Sequence, residues 1–362
     1  MTNRVYNFSA GPAMLPTPVM QKVQEEFLDY QGLGASIVEV SHRLPIFREI
    51  LDSTESMFRE LTNLPKNYRV LFMHGGAQMQ FSAVPLNLMS RKKHKGSYFI
   101  TGRWGILAEK EAQRYGSTEI LMDTKEYDYR LIPEYDSSKL DQESSYAHLT
   151  TNNTLYGTRW HSFPDTGSVP LAADATSDIL SREMDYSQFG VVYAGFQKNL
   201  GTAGTAVVIV RDDLLGNSLP ETPKLLDYAL FDEHHSLPNT INVFGVYVMR
   251  LMLEWVKEQG GVPEMEKLAD KKSALLYDVL DRSDFYLAVA HSEHRSTMNV
   301  TFNFPQDELL QKFLTESDKE GFFGLMGHAI IGGARASIYN AMPLEGVAEL
   351  AKFMQEFERK NG

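Results

Sequence analysis

Lys198 stands in Tyr193-Ala194-Gly195-Phe196-Gln197-Lys198-Asn199-Leu200-Gly201, directly after an apolar run and before a glycine turn, and Asp174 closes another short apolar run upstream. A lysine at the mouth of a buried sheet can form a Schiff base with an aldehyde cofactor. A carboxylate one strand earlier can keep a pyridine nitrogen protonated. The pair points to pyridoxal phosphate chemistry. His74-Gly75-Gly76-Ala77-Gln78 follows an apolar run and opens a helical stretch, so its backbone N–H groups could converge on a phosphate at the positive end of a helix. Trp104, in Thr101-Gly102-Arg103-Trp104-Gly105, falls just past a further run, where a flat aromatic could cover a cofactor ring. Taken singly, each feature has a plain structural explanation: a tight turn, a core tryptophan, a helix cap at Asp174, a turn at Asn153-Thr154, a solvated lysine. Their joint occurrence at successive strand ends, where ligands collect in open α/β sheets, favours the functional reading.

The elements that must position these residues follow from hydrophobic pattern. Strands are expected at Val70–Met73, Tyr98–Thr101, Tyr146–Thr151, Val169–Ala173, Val191–Ala194 and Ala206–Val210. These runs are short, apolar and mostly separated by helix-length segments, which predicts a largely parallel sheet covered on both faces. The residues between Gly195 and Ala206 are too few for a helical crossover, so that pair is expected to be antiparallel, with Lys198 on the connecting loop. A helix is expected after Leu15-Pro16-Thr17-Pro18, with Val19, Val23, Phe27 and Tyr30 on its buried face. Beyond Gly260 the pattern becomes α+β: a helix through Lys267–Leu280, runs at Phe285–Val289 and Met298–Phe304, a helix from Gln306, a strand around Ala336–Tyr339 and a last helix through Phe357. The expected organisation is a large α/β cofactor domain over 16–260 and a smaller α+β domain over 261–362, joined by the N-terminal segment 1–15.

Bulk properties narrow the class. A net charge of -12 argues against a nucleic-acid partner, so an anionic substrate requires a local basic cluster. No apolar stretch approaches the ~20 residues of a membrane span, and no leader pattern opens the chain, so a cytoplasmic enzyme with no membrane partner is expected. The chain has no Cys, which removes thiolate catalysis and disulfides. His234-His235 and His291-Ser292-Glu293-His294 lack a third ligand in register and read as solvated loops rather than a metal site. Neither a Gly-x-Ser-x-Gly elbow nor a complete nucleotide-binding glycine motif is present.

Asn7-Phe8-Ser9-Ala10-Gly11-Pro12-Ala13, Glu39-Val40-Ser41-His42-Arg43, Tyr193 to Asn199 and Gly332-Gly333-Ala334-Arg335-Ala336-Ser337-Ile338-Tyr339-Asn340-Ala341 closely resemble the phosphoserine aminotransferases, class V pyridoxal phosphate-dependent enzymes. The resemblance runs from the first residues to the last helix. It implies a fold-type I transferase with a mostly parallel seven-stranded sheet, acting as a homodimer with shared sites and moving the amino group of glutamate onto 3-phosphohydroxypyruvate by a ping-pong route. It makes Lys198 the Schiff-base lysine and proton shuttle, Asp174 the partner of the pyridine nitrogen, Trp104 the stacking aromatic and Thr154 the contact to the ring hydroxyl. Ala77, Gln78 and Gln197 would hold the cofactor phosphate, with Asn239 and Thr240 reaching it from the neighbouring subunit. Arg335 is implied as the α-carboxylate anchor, and Ser9, His42, Arg43 and His328 as contacts to the distal carboxylate of glutamate or to the substrate phosphate. Some relatives also serve vitamin B6 synthesis.

Two positions depart from that pattern. The family usually carries Arg where Ala329 follows His328, and many members carry Arg where Gln78 stands. Arg103 and Arg159 are the candidates to compensate. The departures keep open a related aminotransferase that takes an unphosphorylated keto acid. A catalytically silent binding protein on the same scaffold is the other alternative, opposed by intact Lys198, Asp174 and Arg335.

Overall fold

Val207 and Ile209 point to one side of a central sheet and Val208 and Val210 to the other, and all four are fully buried in the computed structural model, which describes residues 4–362. Strands covered on both faces lose the polar alternation of half-exposed ones, which is why these runs are continuously apolar. In chain order the strands and helices are β1 (Tyr6–Asn7), α1 (Thr17–Glu26), α2 (Pro45–Thr62), β2 (Tyr68–His74), α3 (Gly76–Leu88), β3 (Lys95–Ile100), α4 (Arg103–Ala112), β4 (Ser117–Asp123), β5 (Tyr146–Thr150), β6 (Asn152–Asn153) and β7 (Thr158–Arg159). There follow β8 (Leu171–Asp174), β9 (Val191–Gly195), β10 (Thr205–Arg211), α5 (Tyr228–Glu233), α6 (Val243–Glu258), α7 (Val262–Asp281), β11 (Leu287–Ala288), β12 (Asn299–Asn303), α8 (Asp307–Lys319), β13 (Phe322–Phe323), β14 (Ala334–Ser337) and α9 (Leu344–Asn361).

The main sheet has seven strands in the order β2-β10-β9-β8-β5-β3-β4. β10 runs antiparallel to both β2 and β9, as the short connection after Gly195 requires, and the other pairings are parallel. One face packs on α2 and α6 through Phe47, Ile50, Phe58, Val246 and Leu253, and the other on α3, α4 and α5 through Phe81, Ala108 and Phe231. This is the α/β fold expected from the pattern. After α6 a three-stranded antiparallel sheet, β11-β12-β14, packs with α7, α8 and α9, and β1 pairs in parallel with β13 through Tyr6–Phe322 and Asn7–Phe323.

Two expectations need correction. The first helix stops at Glu26, so Phe27 is 44% exposed and Tyr30 is buried from the following turns rather than from a helix face. There Asp29 accepts a hydrogen bond from Gly34 N (2.7 Å) and Tyr30 N donates to Ala35 O (2.9 Å), bonds that compete with further helical turns. The edge strand β4 is absent from the expected set because its outer side faces solvent, so its residues carry no buried run: Ser117, Ile120 and Asp123 are exposed. Among the described residues no helix is long and apolar enough to cross a membrane.

Leu149 is fully buried in β5, an inner strand of the sheet. Leu149→Ala should destabilise the protein by about 2–5 kcal/mol, because the neighbours close only part of the cavity. The check is the urea midpoint of unfolding, and an unchanged midpoint would contradict the packing described.

Candidate active site

The strand order brings the ends of β2, β5, β8 and β9 to one edge of the sheet, and a pocket of about 270 Å³ opens there. Ala77, Gln78, Trp104, Thr154, Asp174, Gln197 and Lys198, all expected from the sequence to serve a cofactor, line it together. Lys198 is 8% exposed on the loop between β9 and β10, and its Nζ donates to Thr154 Oγ1 at 2.7 Å. The Tyr339 ring centroid lies 5.9 Å from the same Nζ. Beneath the loop, Ala13 N donates to Gln197 O (2.8 Å), so the N-terminal segment is fastened to the lysine's own backbone.

Asp174 ends β8 at 5% exposure, with Oδ1 accepting from Thr176 N at 3.0 Å. Burial raises its pKa, opposed by hydrogen bonds from Thr176 and the charge of Lys198 and reinforced by Asp178. A carboxylate held in this way is poised to pair with a cation supplied by a ligand. Below it on the same side of the sheet, His148 Nε2 and the Tyr193 hydroxyl are 2.8 Å apart, and burial pushes the imidazole pKa down to about 3, so this floor carries no positive charge.

At the opposite side of the pocket the chain leaves β2 through Gly75 at φ 86 and enters α3. A side chain there would be forced into a left-handed conformation and would meet Met79 Cβ at 2.8 Å. The turn aims the first N–H groups of α3, which have no intrahelical acceptor, into the pocket. Trp104 lies one residue inside α4, and its buried Nε1 has no partner among the described residues. The helix approaches that closely because residue 102 is glycine: a Cβ there would lie 2.6 Å from Asn153 Oδ1. A buried acid with no ion pair among the described residues, open helix N–H groups and an indole at the rim fit pyridoxal phosphate: a pyridinium nitrogen, a phosphate and a ring face.

The expected substrate residues separate into two groups. Arg335, on β14, is 9% exposed, and its buried Nε has no partner among the described residues. Burial lowers its pKa while the neighbouring Tyr339 opposes the shift. His328 lies close by: burial, Arg335 and Arg103 all lower its pKa. Its Nδ1 accepts from Ile330 N (3.2 Å), which leaves the proton on Nε2. His328 can therefore donate through Nε2 on the side where the charges of Arg335 and Arg103 act on it. None of Arg335, His328 and Ser9 is among the residues that line the lysine pocket; Ser9 lies against Gly324, where a Cβ would meet Ser9 Oγ. Arg159 is elsewhere, donating to Thr297 Oγ1 (2.9 Å) and electrostatically coupled to Arg182 and Asp178. Of the two candidate compensating arginines, Arg103 is the one whose charge acts on His328. His42, Arg43 and Asn239 share a separate surface cleft with His234 and His235, and Thr240 is exposed next to it.

A family model for aminotransferase class-V matches residues 5–350. Phosphoserine aminotransferases from Bacillus cereus (strain ATCC 10987 / NRS 248) and Geobacillus kaustophilus (strain HTA426) are 46% and 47% identical to the chain over 358 residues, covering 99% of it and of each relative. The solved phosphoserine aminotransferase from Bacillus circulans subsp. alkalophilus superposes with a TM-score of 0.96 at 42% identity, covering all of both chains. The chain belongs to the phosphoserine aminotransferase family.

A pyridoxal phosphate-bound phosphoserine aminotransferase from Trichomonas vaginalis has a TM-score of 0.89 at 31% identity, covering 97% of this chain and 100% of that one. As a class V aminotransferase, the chain also has pocket residues that the sequence pattern did not single out. Asn152 and Ser177 line the pocket and bond each other, Asn152 Nδ2 to Ser177 Oγ at 2.8 Å. Both sit beside a recognised strand-end residue, Thr154 or Asp174, and that adjacency was the available signal.

Because the folded-state pKa of Asp174 is raised, the folded chain holds the proton more tightly than the unfolded one, and this residue's contribution to stability is lost as pH rises from the ordinary carboxylate range through the raised value. Asp174→Asn keeps the acceptor for Thr176 N and removes that loss. Without cofactor, this variant should melt above wild type at pH 7, and the gap should shrink as pH falls. A lower melting temperature at pH 7 would contradict this electrostatic assignment.

Proposed function

We propose that the chain transfers the amino group of L-glutamate to 3-phosphohydroxypyruvate in L-serine synthesis, giving O-phospho-L-serine and 2-oxoglutarate, with pyridoxal phosphate as cofactor. The observation that carries this reading is the single pocket shared by Lys198, Asp174, Trp104 and the open first turn of α3. When bound, the cofactor supplies a conjugated electron-poor ring that takes up the electron pair released when the Cα proton leaves.

The chain's residues do the rest. Lys198 would hold the aldehyde carbon, give up that place to the incoming amine, and carry the proton from the substrate Cα to the cofactor carbon. Asp174 would keep the ring nitrogen protonated, and Thr154 would hold the ring hydroxyl. Ala77, Gln78 and Gln197 would bind the phosphate by N–H and amide donors. Arg335 would grip the α-carboxylate with its two-pronged donor set, which orients the Cα–H bond. The keto acid then takes the same steps in reverse.

We infer a homodimer in which Ser9, His42, Arg43 and His328 contact the distal acid or phosphate and Asn239 and Thr240 reach the partner's cofactor phosphate. His42, Arg43 and Asn239 line a cleft apart from the Lys198 pocket of their own chain, and exposed Leu28, Leu33, Val38 and Leu44 favour a covered face. We also propose a cytoplasmic enzyme with a large unit over 16–260 and a small one over 261–362, to which 1–15 is joined; Met1–Asn3 lie outside the described residues. The pairing of β1 with β13 supports that last assignment. A part in pyridoxine synthesis would use the same chemistry on a related phosphorylated keto acid.

The second reading, an unphosphorylated keto acid, is favoured by Ala329 and Gln78, both exposed and uncharged. We assign phosphate binding instead to Arg103 beside His328. Arg103→Gln should raise KM for 3-phosphohydroxypyruvate by about tenfold to a hundredfold, the worth of one charge-assisted bond. KM for hydroxypyruvate should not move, and Arg159→Gln should change neither. Equal efficiency of the wild type on the two keto acids would overturn the phosphoserine assignment.

Lys198→Ala should abolish turnover, and Asp174→Ala should cut kcat by at least about a hundredfold while cofactor still attaches. Steady-state kinetics on both variants check this, and near-wild-type kcat in either would sink the corresponding role.

A further inference from the structure

Lys272, on α7, is fully buried, and no carboxylate pairs with it among the described residues. Its Nζ donates to three backbone carbonyls, Ile338 O at 3.0 Å, Tyr339 O at 2.7 Å and Met342 O at 3.1 Å. An ammonium has three N–H donors and a neutral amine two, so this set of acceptors selects the charged form. Burial works against it, pulling the pKa down to about 7. A buried cation without a counter-ion is costly unless every donor is used, and a leucine or methionine would satisfy the packing alone. The lysine therefore does something packing does not require.

The three carbonyls belong to the turn that leaves β14 just after Arg335, and the same turn is tied to the lysine loop. Tyr339 presents its ring to Lys198 Nζ at 5.9 Å and packs on Ala269, three residues before Lys272 on α7. The Tyr339 hydroxyl donates to Ala10 O (2.8 Å) and accepts from Asn299 Nδ2 (3.2 Å). Asn340 N donates to Asn199 Oδ1 (3.0 Å), the side chain next to Lys198. A turn with β14 on one side and the Lys198 loop on the other sets how far apart the two ends are held. Three carbonyls converging on one point would repel one another without a cation between them.

We propose that Lys272 is a positioning residue for amino transfer, a built-in cation that holds the Ile338–Met342 turn and through it sets the distance from Arg335 to Lys198. This rests on the reading of Arg335 as the carboxylate anchor and Lys198 as the cofactor lysine. Removal of the ammonium lets the turn relax, so carboxylate binding weakens while proton transfer at Lys198, once substrate is seated, continues.

The test compares holoenzyme of wild type, Lys272→Met, Lys272→Arg and Tyr339→Phe. It measures cofactor content, kcat, KM for glutamate, and the Kd of glutarate by isothermal titration. Lys272→Met should retain cofactor and raise both KM and the glutarate Kd by about tenfold, with kcat within about threefold of wild type. Lys272→Arg, which keeps the charge, should recover part of the loss. Tyr339→Phe removes the far tether of the turn and should show the same pattern at smaller size; it decides the matter if Lys272→Met does not fold. Unchanged KM and glutarate Kd, or a loss confined to kcat, would overturn the proposal. Glutarate binding is read without turnover, so a wild type that binds glutarate but transfers no amino group would count against the proposed reaction and leave the Lys272 comparison standing.

Discussion

A carboxylate kept out of water at the end of a central strand is the constraint on which the site depends. Asp174 is held at 5% exposure by β5 and β9 on either side, with only Thr176 hydrogen bonds and the charge of Lys198 to favour its ionised form. Such a group destabilises the empty fold at neutral pH, and a protonated ring nitrogen would reverse that penalty. On the proposed role of Asp174, cofactor affinity and ring electronics share one physical origin. The neutral His148–Tyr193 pair beneath keeps competing positive charge away from the acid.

The second requirement is a fixed span between the main sheet and the small antiparallel sheet, because Arg335, the proposed carboxylate anchor, lies on β14 of the small sheet and Lys198, the proposed cofactor lysine, on the β9–β10 loop of the main one. Buried amides bridge them: Asn152 Nδ2 donates to Asn299 Oδ1 (2.9 Å), and Asn299 Nδ2 donates onward to Ser337 Oγ (3.0 Å). Asn152 lines the Lys198 pocket and Ser337 lies two residues from Arg335, so these amide hydrogen bonds connect the pocket to the strand that carries Arg335. The Lys272 turn is the second tie across the same gap.

The sheet was legible because strands buried on both faces are written as uninterrupted apolar runs, and the antiparallel pair because a loop of that length permits nothing else. The edge strand β4 was not, since one open side leaves it with exposed and half-exposed residues. At the site, residues at strand ends could be read from position. Which of Arg103 and Arg159 lies near His328 could not, because both flank cofactor motifs in the chain and only folding sends Arg159 toward Asp178. Lys272 was equally opaque: on a helix with charged neighbours it reads as a surface lysine, and only the return of the chain after β14 gives it three carbonyls.

The central claim is that Lys198 alone carries the cofactor. Borohydride reduction of the holoenzyme, followed by proteolysis and peptide mass mapping, tests it directly, with Lys272, the other buried lysine among the described residues, as the informative comparison. The account predicts one pyridoxyl label per chain, on the peptide containing Lys198. A label on Lys272, labels spread over several lysines, or none at all in holoenzyme that transfers amino groups would contradict it.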